Sequence, residues 1–136
     1  MKGKTYDLKK LAASGHFDVN VSTRFHYSTQ EYFDALTDFA NNYDNDLRNY
    51  TAAFVVNSDV DREMFIKECY EIHADFVRLG FTALIEGLLV LEDAAMKKDM
   101  KEFADGQVSF KAKVKICKEE IINAQERWKM TRPRTQ

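Results

Sequence analysis

Residues 68–99, ECYEIHADFVRLGFTALIEGLLVLEDAAMKKD, decide the fold. Cys69, Ile72, Phe76 and Leu79, with Phe65 just upstream, recur at steps of three and four, which is the spacing of one helical face. Gly80 ends that row, as a residue free to adopt a left-handed backbone does at a helix C-terminus. Beyond it Leu84, Leu88, Leu91 and Ala95 form a second row. Ile85 and Leu89 widen this row, so the second helix is expected to be the most enclosed.

Working outward, the first of these helices should start near Ser58 or Asp59. Further upstream, Ser28 and Glu31 have the S-x-x-E form of a capping box, which satisfies orphan amide groups at a helix start. Tyr32, Leu36, Phe39, Tyr43, Leu47, Tyr50 and Phe54 follow on one stripe, so a single long helix is expected from near Thr29 to Phe54. Downstream, Phe103, Phe110, Val114, Cys117, Ile121, Ala124 and Trp128 share a face interrupted by Gly106 and Gln107, with a bend expected near Gly106. Pro133 is the only proline, so no ring clash limits helix length elsewhere.

Residues 5–13 should add a short N-terminal helix, and GHFDVNVSTRFHY (15–27) reads as a loop or short turn closing one end. Residues after Met130 are expected to fray. Four amphipathic helices joined by short links cannot each bury a stripe alone. The expected fold is therefore all-α: an antiparallel up-down four-helix bundle with a short N-terminal helix, one domain over 1–136 with its core at about 18–130.

Composition agrees with a single folded domain. The chain has 136 residues, 45% of them apolar and 31% charged, which excludes collagenous and disordered classes. Ten Phe, six Tyr and one Trp supply an aromatic-rich interior. A formal charge of −2 gives no reason to expect nucleic acid or anionic lipid as a partner. The N-terminus MKGKTYDLKK lacks a signal-like apolar run, and no window approaches a membrane span, so a cytoplasmic protein is expected. Acids at 31, 34, 38, 44 and 46 and seven lysines between 97 and 118 read as solvated faces.

Chemistry-bearing motifs are sparse. There is no P-loop, G-x-G-x-x-G, G-x-S-x-G or H-E-x-x-H, so no cofactor and no standard enzyme class is expected. Cys69 and Cys117 read as buried thiols, since neither has a second Cys or His at metal-ligand spacing. A di-iron bundle needs Glu-x-x-His pairs, whereas Glu71 and His73 stand two residues apart on different faces. No metal site is expected. His16 and His26 fall in the irregular connection without a partner motif.

The 68–99 segment resembles the histidine phosphotransfer (HPt) family, whose phosphosite helix carries a pattern close to H-x-L-K-G-x-x-x-x-[LIM]-G. Aligning the terminal glycine with Gly80 places Leu79, Ala74, His73 and Ile72 on the apolar, small, basic and apolar positions. Tyr70 falls where the phosphorylated histidine stands. LLVLEDAAMKKD matches the family's L-E-x-A-A ending, and STQEYFDALTDFANNYDNDLRNY resembles the preceding helix, so the resemblance covers roughly residues 18–125.

A phenol offers no imidazole nitrogen on which a phosphoramidate could form. His73 is one turn on, about 300° and ~4.5 Å away, and so points about 60° off the expected direction. The resemblance implies a degenerate, non-enzymatic member that binds a response-regulator receiver domain or a histidine-kinase component. Its contact surface would be Ile66, Tyr70, His73, Ala74 and Val77, with a polar rim of Lys67, Glu71, Asp75 and Arg78. The alternatives are an active phosphotransfer protein with His73 as off-register acceptor, and a structural helical bundle that self-associates.

Overall fold

The computed structural model describes residues 6–26, 28–44 and 46–125. Among these residues the chain is all-helical. The elements are α1 (Leu8–Ala13), α2 (Val21–Arg24), α3 (Thr29–Asn42), a 3-10 turn (Asp46–Asn49), α4 (Ala52–Asn57), α5 (Asp59–Leu79), α6 (Thr82–Lys97) and α7 (Met100–Ala124). Extended pairing is limited to one antiparallel bridge between Tyr6 and Gln125, which ties the chain ahead of α1 to the end of α7. The expectations for Trp128 and for fraying after Met130 lie outside the described residues.

Local chemistry sets the starts. Ser28 Oγ accepts from the Glu31 amide, Ser58 Oγ from Asp61, and Asp99 Oδ1 from Glu102, each filling an N-terminal orphan donor. Gly80 ends α5 at φ 73°, and Lys98 ends α6 at φ 58°.

The expected helix from Thr29 to Phe54 is three pieces. After Asn42 comes a run of Tyr, Asp and Asn, whose polar side chains compete with helical hydrogen bonds. Thr51 then recaps α4 by accepting from the Phe54 amide. The break turns Phe54 outward, where it is 61% exposed instead of closing the stripe. The amide of Gln107, the polar interruption on α7, donates to the Leu47 and Tyr50 carbonyls and so holds the broken segment in place.

Pairwise contacts give the helix directions. Tyr32 at the start of α3 donates its hydroxyl to the carbonyl of Leu79 at the end of α5, and the Tyr50 ring, past α3, meets Phe65 early in α5. These two segments run oppositely. On α6 and α7, Gly87 lies against Phe110 while Gly106 lies against Leu91, so these also run oppositely. In both cases an added Cβ would come within 3.0 Å of the facing side chain, which explains the glycines in mid-helix. Lys118 of α7 donates to the Tyr43 carbonyl just past α3.

The interior is aromatic, as composition implied. Phe81 meets Phe17, Phe39 and Phe76, with ring centroids 5.3, 4.5 and 5.9 Å apart, and Phe65 meets Phe103 at 5.0 Å. Leu84, Leu88, Leu91 and Ala95 are buried, but Leu89 is 50% exposed and Val90 and Met96 are also outside. Even so, α6 is the most enclosed helix, as expected, with six of its sixteen residues buried against seven of twenty-five in α7, which buries every residue of its expected face from Phe103 to Ala124.

Candidate functional site

The candidate surface stands on α5. Ile66, Tyr70, His73 and Val77 follow steps of four, three and four, and Ala74 flanks them, so they share a stripe about 100° from the buried row of Phe65, Cys69 and Phe76. Tyr70 is 69% exposed and Ala74 is exposed, while Ile66, His73 and Val77 are half-buried. The His73 imidazole makes no hydrogen bond or ion pair among the described residues, so nothing internal fixes its orientation.

Of the half-buried members, Ile66 packs against the core. Gly87 faces α7, and the opposite flank of α6 carries Ile85, Leu89, Glu92 and Met96, of which Glu92 lies near enough to α5 for its charge to act on Cys69. The Glu92 charge, together with Glu68, accordingly adds to desolvation in pushing the Cys69 thiol above its ordinary value. Leu89 and Met96, 50% and 69% exposed, are the outward apolar residues of that flank. Sequence reading assigned Leu89 to the interior and did not single out Met96 at all. The signal was the row 85, 89, 92, 96, offset by one residue from the buried row 84, 88, 91, 95.

The expected polar rim divides. Lys67 and Glu71 are exposed about 60° and 100° round the helix from Tyr70. Asp75, about 140° away, turns instead toward α3, where it accepts from the Arg78 guanidinium at 2.6 Å. Both of these side chains line a groove between α3 and α5 rather than the Tyr70 surface.

The other singled-out residues serve the scaffold. His16 Nδ1 lies 2.6 Å from Glu120 Oε1, and His26 Nε2 donates to the Arg78 carbonyl at 2.8 Å, so both pin the irregular connection to the long helices. Cys69 and Cys117 are buried and reduced. Desolvation, followed by Glu120, pushes the Cys117 thiol up to about 12, which disfavours the nucleophilic thiolate. Among the described residues no group of three His, Cys, Asp or Glu side chains could hold a metal ion, and no helix is long and apolar enough to cross a membrane. Comparison with protein-family models, with curated proteins and with solved structures finds no match to this chain.

Proposed function

We propose that this chain is a pseudo-histidine-phosphotransfer domain of a cytoplasmic phosphorelay, which binds a receiver domain or a histidine-kinase component without passing on a phosphoryl group. In this reading α3, α5, α6 and α7 constitute an antiparallel up-down four-helix bundle, a reading favoured by their alternating directions. The observation that carries the proposal is the exposed Tyr70 ring, ten residues before the αL glycine at which α5 stops. Recognition is then by shape and apolar contact. Tyr70, Leu89 and Met96 form the centre, Ile66, His73 and Val77 its floor, and Lys67 and Glu71 its edge.

The test is direct binding of purified receiver domains from the same genome to the wild type and to Tyr70→Asp. At least one receiver should bind, and the charge should weaken it tenfold or more at unchanged helicity. Binding by none, or equal binding to both forms, refutes the proposal. The unpartnered His73 imidazole favours a second reading, an off-register acceptor. Acid-labile label on the wild type that His73→Ala abolishes would establish that reading instead.

A further inference from the structure

The groove on the opposite flank of α5 belongs to no part of that surface. It encloses about 370 Å3 between α3 and α5. This lies within the range of about 300–1,000 Å3 usual for small-molecule sites. Its floor is Phe39, Tyr43, Ile72, Phe76 and Leu79. Phe39 and Tyr43 are stacked with centroids 4.7 Å apart, and Phe76 meets both.

Two carboxylates stand over this aromatic floor, one on each bank. Asp38 Oδ1 accepts from Asn42 Nδ2 at 2.8 Å, and Asp75 Oδ1 accepts from Arg78 at 2.6 Å. The second oxygen of each has no hydrogen-bond partner among the described residues. Against these two negative charges the groove sets the guanidinium of Arg78 and the imidazole of His26, and the imidazole is itself faced by the Glu31 carboxylate at 3.6 Å. An anion would meet net repulsion here, and a neutral apolar molecule would gain only the floor. An ammonium attached to an apolar body would gain both the floor and a carboxylate.

We propose that the α3–α5 groove is a binding site for a small organic cation with an aromatic body, of which an arylalkylamine is the simplest. The ligand lies with its ring against the half-buried Tyr43, Ile72 and Leu79 and its ammonium between Asp38 and Asp75. Asp75 is turned about 140° from Tyr70 round α5, so occupancy of the groove leaves the Tyr70 surface open.

The experiment is a titration of the isotope-labelled full chain, followed by amide chemical shifts at fixed ionic strength. The probes are 2-phenylethylamine, 2-phenylethanol and 3-phenylpropionate. The amine should saturate, shift amides at 35–43 and 72–79, and bind at least tenfold tighter than the alcohol; the acid should not saturate. Asp38→Asn with Asp75→Asn should lower the amine's affinity to that of the alcohol, Arg78→Gln should raise it, and Tyr70→Asp should leave it unchanged. No saturation by the amine, equal affinities for all three probes, shifts mapping elsewhere, or an unaffected double variant would each overturn the proposal.

Discussion

The Asp18 amide donates to the Gly80 carbonyl at 2.7 Å, and the Asp18 carbonyl occupies the space where a Cβ on residue 80 would sit. One backbone contact thus locks the 16–20 connection onto the α5–α6 turn. Gly80 is required twice over, by its φ of 73° and by this approach. Gly80→Ala should cost roughly 2–5 kcal/mol, combining αL strain with overpacking against backbone. Urea unfolding reads this directly, and a loss below about 1 kcal/mol would show that the contact can relax cheaply.

At the other end of α6 the same backbone region is occupied by Lys98, a residue with a Cβ, at φ 58°. Lys98→Gly should therefore stabilise the chain by about 1 kcal/mol, since the left-handed strain is removed at an exposed position. A fall in the urea midpoint would contradict this.

Alkaline pH should destabilise the fold through its thiols. Burial raises the Cys117 thiol from an ordinary 9.0 to about 12, so the folded state holds its proton more tightly than the unfolded state. The associated stability is complete below about pH 9 and is lost as pH rises toward 12. Cys69 shifts in the same direction. Between pH 8 and pH 10 the wild type should lose about 1 kcal/mol more than Cys117→Ala does. Identical pH slopes for the two would remove the thiol from the explanation.

Leu89 is half exposed on α6, and the proposed contact surface includes it. Leu89→Asp should leave stability within about 0.5 kcal/mol, as for an ordinary surface position, yet weaken receiver binding severalfold. If Leu89→Asp unfolds the chain, the residue is part of the interior as its periodicity first suggested; unchanged binding would take α6 out of the contact surface.

What the sequence made legible is what depends on neighbours along the chain. Ser28 and Ser58 cap where their side chains can reach an amide three residues on, and Gly80 stops α5 because its own backbone can turn left-handed. The break after Asn42 was hidden because Tyr43, Leu47 and Tyr50 keep helical spacing across it. What compensates the lost helical bonds there is Gln107, more than fifty residues away. Leu89 was misplaced for a related reason: periodicity gives the width of an apolar stripe but not how much of it a neighbouring helix covers. Tyr70 came to the expected contact surface through the alignment on Gly80, and its ring is 69% exposed because it falls one step off the buried row. The α3–α5 groove was invisible, since Asp38 and Asp75 come together only when two helices distant in sequence pack.

Restoring the imidazole tests whether Tyr70 occupies the place of a phosphoacceptor. Wild type and Tyr70→His are incubated with a phosphorylated receiver that binds both, and protein-bound phosphate is assayed for acid lability. Tyr70→His should acquire acid-labile label, and the wild type should acquire none. Label on the wild type that His73→Ala abolishes, or a Tyr70→His variant that binds the receiver yet never accepts phosphate, would contradict the assignment.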